Sequence, residues 1–368
     1  MNLKYENIIR EFQIEGKFLG AEPYGSGHIN GTLLGSFEYD GRIRRFIHQR
    51  INCSVFKQPE KVMENIGFVT RHLQHKILEA GGDPLREALN LVPTRNGADY
   101  FVSSNGEYWR TYLFIEGART YDQAENPRQV YSANKAFGKF QMMVSKLPST
   151  CLHETIPDFH NTKKRFLDFI DVLNKDPLNR AFDVKEEIDF YLKREPDTSV
   201  IINLIEKGEI PERITHNDTK LNNVLIDDIT GEGICVLDLD TMMPGSALYD
   251  FGDSVRIGAC TAAEDETDLS KVKFDMTMFE QLTKGYLDTA KHFLTAKELE
   301  FLPFSAILMT LECGMRFLTD YLNGDVYFKI SRPEHNLDRT RTQIKMVREM
   351  EQSLDEMSSI VAAACKQD

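Results

Sequence analysis

Hydrophobic and polar residues alternate through much of the first 115 positions, and this period of two predicts β-strands. The alternation is clear at 16–24, 32–39 and 42–51. Asp40-Gly41 separates the last two runs, which is a strong signal for a two-residue hairpin turn. The chain is therefore predicted to begin with an antiparallel sheet.

One helix is predicted to interrupt this sheet. Pro59 suits its first turn, and apolar residues then recur every three or four positions. These apolar positions are Val62, Ile66, Val69, Leu73 and Ile77. Asn96-Gly97 and Asn105-Gly106 predict two more hairpins, and a last strand follows at 108–115.

The pattern becomes helical after residue 116. Asn126 and Pro127 resemble an N-cap and a first helical residue, and Pro148 ends the helix they begin. Its apolar stripe contains Val130, Ala133, Phe137, Phe140, Val144 and Leu147. Further helices are predicted at 163–173, 184–194 and 274–293, from a capping box at Thr295 and Glu298, and from 339 onward.

These patterns predict an α+β protein with two lobes, because 368 residues exceed one ordinary hydrophobic core. The small N-terminal lobe is predicted at residues 1–116 and the larger C-terminal lobe at 117–368, with a hinge near 116–122. A short β-hairpin is predicted within the second lobe at about 212–240.

Composition narrows the possible functions. The net charge of −13 argues against a nucleic-acid partner, which needs a basic face. Six cysteines without CxxC spacing indicate reduced thiols in a cytoplasmic protein. The longest mostly apolar stretch, 301–311, is far shorter than the roughly 20 residues of a membrane span. We therefore expect a cytoplasmic protein without a membrane partner, monomeric by default.

The residues that indicate chemistry lie within the predicted hairpin. His216 is followed two positions later by Asp218, and Asn223 stands five further on. Asp238 ends the apolar run that begins at Ile234. Kinase-type phosphoryl transfer needs a carboxylate that orients the acceptor hydroxyl, an amide oxygen on Mg²⁺, and a second carboxylate on the metal. The spacing supplies all three groups in order.

Roles follow from these residue types. Asp218 is the predicted base, while Asn223 and Asp238 are the predicted Mg²⁺ ligands. Asp240 points the same way as Asp238 if the chain is extended, so it is either a second ligand or a loop cap. Lys220 is expected to meet the γ-phosphate, the alternative being a solvated lysine.

Other predicted contacts come from the first lobe. Gly25, Ser26 and Gly27 form a turn whose backbone amides suit phosphates. His28 and Asn30 are expected either to reach the acceptor from above or to shape that turn.

Nucleotide contacts are also expected on strand three and at the hinge. The third strand carries no lysine, so Arg50 is predicted to take the phosphate contact, with Glu64 as its helix partner. Ile115 and Glu116, which enter the hinge, are predicted to contact the nucleotide.

Two later segments carry polar residues with two interpretations each. Asp250 is predicted to brace the catalytic segment by accepting its backbone N–H groups. Arg316 and Asp320 are four residues apart, so either they form an intrahelical ion pair or Arg316 lines a sugar pocket together with Tyr327.

Taken together, the motifs resemble those of the aminoglycoside phosphotransferase-like kinases, and within that family those of the bacterial N-acetylhexosamine 1-kinases. The resemblance spans nearly the whole chain. It lies in GHIN at 27–30, THNDTKLNN at 215–223, LDLDT at 237–241, PG at 244–245, YDFGD at 249–253, RFLTDYL at 316–322 and GDVYF at 324–328.

The resemblance implies a two-lobed protein-kinase-like fold, ATP with Mg²⁺, and phosphorylation of the anomeric hydroxyl of N-acetylglucosamine or N-acetylgalactosamine. By motif position it makes Asp218 the base and Asn223 and Asp238 the metal ligands. It implies sugar contacts by Arg316 and Tyr327, and we group Asp240, His28 and Asn30 with the substrate contacts. Gly31 departs from the family pattern, where an aspartate is expected.

Two alternatives to a sugar 1-kinase stay open. The first is another small-molecule kinase of this fold, acting on homoserine, choline, methylthioribose or an aminoglycoside, and the second is a nucleotide-binding pseudokinase. The missing lysine of strand three supports the pseudokinase. The preferred sugar epimer, the nucleotide selectivity and the oligomeric state do not follow from the sequence.

Overall fold

The computed structural model describes residues 5–25 and 29–366 of the chain. Within these residues, a five-stranded antiparallel sheet comes first and a mainly helical region follows. This arrangement confirms the predicted α+β class.

The N-terminal sheet has the order β1-β2-β3-β5-β4. Its strands are β1 (Lys17–Pro23), β2 (Gly31–Tyr39), β3 (Arg42–Arg50), β4 (Phe101–Val102) and β5 (Tyr108–Leu113). Three helices accompany it: α1 (Glu6–Ile9), α2 (Pro59–Glu79) and α3 (Pro84–Glu87).

Turn chemistry explains two of its hairpins. Asp40 and Gly41 both have positive φ, 50° and 68°, as a two-residue turn between β2 and β3 requires. Asn105-Gly106 likewise separates β4 from β5. Asn96-Gly97 lies in a turn, because the Gly97 N–H donates to the Thr94 carbonyl at 2.8 Å, but the described element before this turn is the helix α3 rather than a strand, so the predicted hairpin does not form.

The C-terminal lobe contains two small sheets and nine of the described helices. The strands are β6 (Ala118–Arg119), β7 (Arg213–Thr215), β8 (Val224–Asp227), β9 (Gly233–Val236) and β10 (Met243–Gly245). The helices are α4 (Pro127–Val144), α5 (Thr162–Lys175), α6 (Lys185–Leu192), α7 (Val200–Glu206), α8 (Ala247–Gly258), α9 (Met276–Ala290), α10 (Ala296–Leu322), α11 (His335–Gln352) and α12 (Leu354–Cys365).

The single hairpin expected at 212–240 is divided between the two sheets. β8 and β9 form a hairpin that β6 extends, whereas β7 pairs with β10 in a separate two-stranded sheet. The catalytic motif therefore lies on the connection from β7 to β8, and residues 237–242 lie on the connection from β9 to β10.

Helix capping follows the sequence closely. The Asn126 side chain accepts a hydrogen bond from the Gln129 backbone N–H at 3.1 Å, which confirms the predicted start of α4. Thr295 and Glu298 form the predicted capping box of α10. The last helix differs from expectation: it begins at His335 and is interrupted at Ser353.

α10 is longer and more apolar than the sequence estimate of 301–311 indicated, and that estimate is wrong. By length and composition an 18-residue window of the helix is apolar enough to cross a membrane. However, 78% of that window is buried in the protein. Burial of this kind is typical of a core helix.

One hydrophobic core is shared by both lobes. Met63 and Ile66 of α2 and Tyr112 of β5 are buried in the same cluster as Phe137 of α4 and Val224 of β8. Each such fully buried side chain contributes about 1.5–3 kcal/mol. The cluster lies across the predicted boundary at 116, so burial of apolar surface fixes the small lobe against the large one.

Candidate active site

The catalytic loop, residues 216–223 between β7 and β8, is held by the first turns of α8. Asp250 accepts hydrogen bonds from the backbone N–H groups of His216 at 2.9 Å and Asn217 at 2.7 Å. Gln141 donates to the same carboxylate at 2.5 Å. Burial raises the pKa of Asp250, and these hydrogen bonds oppose that rise. The predicted bracing role of Asp250 agrees with these contacts.

A second acid of α8 extends the same support. Asp253 accepts from the Thr219 N–H at 3.1 Å and is paired with Arg256 at 3.0 Å. The Thr219 hydroxyl donates to the Asp250 carbonyl, and Ser254 donates to the Thr219 carbonyl. Backbone groups on both sides of Asp218 are therefore fixed by buried partners.

His216 is an internal strut of this loop. It is fully buried, and its Nε2 lies 2.7 Å from the Leu237 carbonyl. The Asp218 N–H donates to its Nδ1 at 3.3 Å, so the imidazole carries its proton on Nε2 and accepts at Nδ1. This geometry ties the catalytic loop to the segment that carries Asp238.

Asp218 lies between a cation and an amide. One carboxylate oxygen is 2.6 Å from the Lys220 Nζ, and the other accepts from the Asn223 Nδ2 at 3.1 Å. Asn223 also donates to the Asp218 carbonyl at 2.8 Å. Because both bonds use the amide nitrogen, the Oδ1 of Asn223 is left for another partner, as a metal ligand requires. Desolvation lowers the pKa of Lys220, but the charge of Asp218 outweighs it and the pKa is raised.

Asp238 has the environment of a metal ligand. Its backbone is left-handed, with φ 52°, and the residue is exposed. Desolvation by the surrounding protein, reinforced by the charges of Asp240 and Asp218, raises the pKa of Asp238 to about 6. Within the described residues this carboxylate has no hydrogen bond or ion pair. A divalent cation would relieve the repulsion, so the residues fit Mg²⁺.

Protein side chains alone do not form a metal cage here. In residues 5–25 and 29–366, no group of three or more His, Cys, Asp or Glu side chains is arranged to hold a metal ion. Mg²⁺ in phosphotransferases is commonly held by one or two protein oxygens together with substrate phosphates. Asn223 and Asp238 would supply two such protein oxygens.

Asp240 differs from both expectations for it. The chain at 239–241 forms a 3₁₀ turn after a left-handed residue, so the extended geometry assumed for Asp238 and Asp240 is wrong. Asp240 is 3% exposed and is paired with Arg110 of β5. Asn30 also donates to it at 2.6 Å. The structure thus brings Asn30 of the small lobe and Asp240 of the large lobe together across the cleft between the lobes.

The glycine turn is described only in part. Gly25 has φ 80°, which favours glycine, whereas Ser26, Gly27 and His28 lie outside the described residues. Asn30 anchors the end of the turn, because its Oδ1 accepts from the Asn52 N–H at 3.0 Å. The phosphate contacts of this turn stay a prediction.

The predicted pair of Arg50 with Glu64 does not form. Arg50 is paired with Glu107 at 2.7 Å, and Glu64 lies 2.7 Å from His153. Arg50 follows Gln49, whose side chain meets Arg110, so strand alternation turns Arg50 to the opposite face of the sheet. The phosphate contact of Arg50 stays a prediction.

The hinge residues are already engaged with neighbours. Ile115 is buried in the shared core. Glu116 is ion-paired with Arg45, and its carbonyl accepts from Arg86 at 2.6 Å. Their predicted nucleotide contacts are neither supported nor opposed by these bonds.

Arg316 lies among aromatic rings. Its guanidinium carbon is 5.6 Å from the ring centres of Phe159 and Phe328 and 5.9 Å from that of Tyr327. The intrahelical pair with Asp320 is wrong, because Asp320 accepts from backbone N–H groups at 326, 327 and 328 instead. Those three bonds hold the turn that brings Tyr327 and Phe328 to Arg316.

Three polar residues beside Arg316 are new to the site. His160 bridges Glu312, at 2.8 Å, and the Asn217 carbonyl, at 3.1 Å, and so connects α10 to the catalytic loop. Arg165 donates to the Phe159 carbonyl, while its buried Nε has no partner among the described residues. Burial and the charge of Arg316 lower the pKa of Arg165. No local sequence pattern marks His160 and Arg165 as site residues, because only the packing of α5 against α10 brings them close to Arg316.

A cavity borders the catalytic loop. Its volume is about 790 Å³, and Thr219, Lys220, Ser254 and Arg256 are among the residues that line it. A cavity of about 900 Å³ lies on the flank of the N-terminal sheet. Asp218 and Asp238 line neither cavity, but the first one reaches Thr219 and Lys220, the two residues that follow Asp218.

Known proteins share this architecture. A family model described as "Phosphotransferase enzyme family" (APH) matches residues 85–276. The aminoglycoside phosphotransferase of Alicyclobacillus acidocaldarius superposes with a TM-score of 0.61 at 12% identity, over 99% of this chain and 98% of that one.

Two further solved structures are similar. The choline kinase of Cryptosporidium parvum gives a TM-score of 0.58 at 14% identity, over 98% of each chain. A spectinomycin phosphotransferase, solved with ADP and spectinomycin, gives 0.50 at 12% identity, over 98% of this chain and 96% of that one. At such identities the structural matches establish the fold.

Proposed function

The chain belongs to the phosphotransferase enzyme family, and from this premise we propose that it transfers the γ-phosphoryl group of ATP to the anomeric hydroxyl of an N-acetylhexosamine. The proposal includes Mg²⁺ as the metal and a cytoplasmic protein without a nucleic-acid or membrane partner. A monomer is the working assumption.

The donor side of the proposal rests on three residues. Asn223 and Asp238 would hold Mg²⁺, and the bound ion would supply positive charge to offset the negative charge of the phosphate groups. Lys220, 2.6 Å from Asp218, brings a cation to the point where donor and acceptor meet. ATP as the donor is supported by the ADP found in the structurally similar spectinomycin phosphotransferase.

The acceptor step uses Asp218. A sugar hydroxyl within hydrogen-bond reach donates to the Asp218 carboxylate, and its oxygen attacks the γ-phosphorus in line with the leaving ADP oxygen. The proton passes to Asp218 as the new O–P bond forms and the bond to ADP breaks. An anomeric hydroxyl is more acidic than an ordinary alcohol, so Asp218 needs to take the proton only late in the step.

The observation that carries the choice of acceptor is the environment of Arg316. It makes no hydrogen bond or close ion pair with a described residue and is surrounded by three aromatic rings. Glu312, the acid whose pKa it helps to lower, is already bonded to His160 and Thr162. Aromatic rings suit the C–H faces of a sugar, and a guanidinium suits its hydroxyl or acetamide oxygens.

The same cluster disfavours cationic acceptors. Arg316 and the neighbouring Arg165 place two positive charges where choline or an aminoglycoside would bring more. Choline recognition uses aromatic rings without a competing cation. A neutral sugar avoids this repulsion.

The test is Mg²⁺-dependent ADP release across a panel of acceptors. N-acetylglucosamine and N-acetylgalactosamine are compared with choline, homoserine, methylthioribose and an aminoglycoside. The methyl glycoside of each N-acetylhexosamine is the matched control, because it keeps every group except the free anomeric hydroxyl. We expect turnover on the free sugars and none on their methyl glycosides.

Other results would change the proposal in different ways. Equal turnover on the methyl glycosides would place the phosphoryl group on another hydroxyl. Turnover on choline or homoserine alone would replace the sugar with that acceptor while leaving the kinase assignment intact. ADP release that persists without Mg²⁺ would remove the metal roles of Asn223 and Asp238.

A further inference from the structure

Arg110 joins the two sides of the cleft through a buried ion pair. It stands on β5 of the N-terminal sheet, and Asp240 follows β9 of the C-terminal lobe. Nη1 contacts Oδ1 of Asp240, and Nη2 donates to Oδ2 at 2.9 Å. The side chains are 1% and 2% exposed. This is a two-point contact between a planar fork and a carboxylate, which fixes direction as well as distance.

Gln49 aims the guanidinium. Its Oε1 accepts from the Arg110 Nε at 3.0 Å and from Nη2 at 2.9 Å. Gln49 lies directly opposite Arg110 in the register of β3 and β5. The arginine is thus held from the sheet and has little freedom to turn away from Asp240.

Stability alone does not explain such a pair. Removing two charges from water is strongly unfavourable, and well-packed apolar residues are often as stabilising as a buried ion pair. Burial lowers the pKa of Arg110, but the nearby charge of Asp240 outweighs it and the pKa is raised. The pair is therefore charged in a place where charge is expensive, two residues from Asp238.

Most of the acceptor capacity of Asp240 is already used. A carboxylate offers about four lone-pair positions. Two meet Arg110, and a third meets the Asn30 amide at 2.6 Å. About one position is left, and its direction is set by the other three.

The pair that kinases form within the small lobe, between a strand-three cation and a helix carboxylate, has no equivalent on α2. Glu60 is bonded to the Tyr108 hydroxyl, and Glu64 is bonded to His153, so neither contacts a cation of strand three in the described chain. The cation that crosses the cleft stands on β5 instead, and its partner is in the segment that carries Asp238.

We infer that Arg110 is a positioning residue for the acceptor: by holding both oxygens of Asp240, it directs the remaining lone pair of that carboxylate at one hydroxyl of the acceptor. The inference rests on the proposed phosphotransferase function and on Asp240 as a substrate contact. It makes the orientation of Asp240, rather than its mere presence, the determinant of acceptor binding.

The test separates charge from geometry. Arg110→Lys keeps the positive charge but loses the two-point fork. We expect this variant to raise the acceptor KM about tenfold while kcat and the nucleotide KM change less than about threefold. Lys139→Met is the matched control, since Lys139 also forms an ion pair across the lobes, with Glu87, but is 43% exposed. The control should leave all three constants unchanged.

A double variant provides the second readout. If Arg110 acts through Asp240, then Arg110→Lys combined with Asp240→Asn should have the same acceptor KM as Asp240→Asn alone, within about twofold. Circular dichroism and the melting temperature of each variant verify folding. Gln49→Leu replaces Arg110→Lys in this test if the latter folds poorly. It leaves both charges in place but removes the hydrogen bonds that orient the Arg110 guanidinium, so it should reproduce part of the rise in acceptor KM.

The outcomes are distinguishable from those for the sugar proposal. If the wild type uses another alcohol instead of an N-acetylhexosamine, the sugar proposal fails and the same KM rise is expected with that alcohol. An unchanged acceptor KM in Arg110→Lys, or additive effects in the double variant, would overturn the inference while leaving the sugar proposal intact. A wild type that phosphorylates no acceptor would overturn both.

Discussion

The two sides of the cleft, the large lobe below and the small lobe above, are built differently. On the lower side, the backbone N–H groups of His216, Asn217 and Thr219 are bonded to buried carboxylates of α8. On the upper side, the β1–β2 turn reaches the large lobe through side chains, with Asn30 bonded to Asp240. The difference shows that the backbone of residues 216–219 is fixed from within the lower side, whereas Asn30 is positioned by side-chain contacts between the lobes.

The largest effect is expected on the lower side. Asp218→Asn removes the carboxylate that accepts the acceptor proton, so we expect turnover to fall by roughly 10²–10⁴-fold while ATP binding is retained. Steady-state ADP release and nucleotide titration measure the two quantities. Asp228→Asn, which changes an exposed surface pair, is the control. Near-wild-type turnover would defeat the assignment of the base.

Asp250→Ala tests whether the lower side is rigid because of α8. The change leaves two backbone N–H groups and the Gln141 amide without their acceptor. Buried groups without partners cost about 1–3 kcal/mol each, so we expect a loss of about 3 kcal/mol or more in the free energy of unfolding.

Urea unfolding measures this loss. Asp288→Ala, which removes an exposed pair with Lys135, should cost at most about 1 kcal/mol. If both variants lose the same small amount, α8 is not the support of the catalytic loop.

His48 offers a test confined to the upper side. It is buried on β3 with Nδ1 2.8 Å from the Thr111 hydroxyl, and burial lowers the pKa of His48 to about 3 from its ordinary 6.5. The unfolded chain binds a proton below pH 6.5 and the folded chain does not. The contribution of neutral His48 to the free energy of unfolding is therefore complete above pH 6.5 and is lost as the pH falls toward 3.

The expected loss between pH 7 and pH 5 is about 2 kcal/mol from this residue. His48→Gln keeps a polar side chain and removes the titration. Urea unfolding at both pH values should show a smaller pH dependence in the variant by that amount. Identical pH dependence in both proteins would mean that His48 is charged in the folded state.

Arg50→Met should have the smallest effect. Its partner Glu107 forms a surface pair worth about 0–1 kcal/mol, and the strand turns Arg50 away from the face that carries Gln49. We expect the nucleotide KM to change less than about threefold. A rise of tenfold or more would establish the phosphate contact that the sequence predicted and give the upper side a cation of its own.

Local features of the site could be predicted from the sequence. The spacing of Asp218 and Asn223 places them on one short loop, and the structure joins them by hydrogen bonds. Helix starts at Asn126 and Thr295 followed from residue chemistry within three positions. Short-range hydrogen bonding leaves a readable pattern because both partners lie in one segment.

Contacts between distant segments were not predictable. Arg110 and Asp240 are separated by 130 positions, and a lone arginine in a strand carries no sign of its partner. The pair of Arg50 with Glu64 was expected by analogy with the strand-three lysine of kinases. Neighbouring residues of a strand point to opposite faces, however, so Arg50 lies on the face opposite to Gln49.

Helix packing also defeated local pattern reading. α8 was missed because its polar residues Asp250, Asp253 and Ser254 are buried against the catalytic loop, so residues 247–256 show no solvent-facing polar stripe. The four-residue spacing of Arg316 and Asp320 left an ion pair open as one of two interpretations, but the backbone N–H groups of 326–328 bind Asp320 instead.

The hydrophobic core shared by the two lobes has a consequence for how the molecule comes apart. A fragment that ends at residue 116 would expose Met63, Ile66 and Tyr112 to water and should aggregate when expressed by itself. Heating should accordingly melt the whole chain in one cooperative transition, and a nucleotide that binds in the cleft should shift that single transition upward.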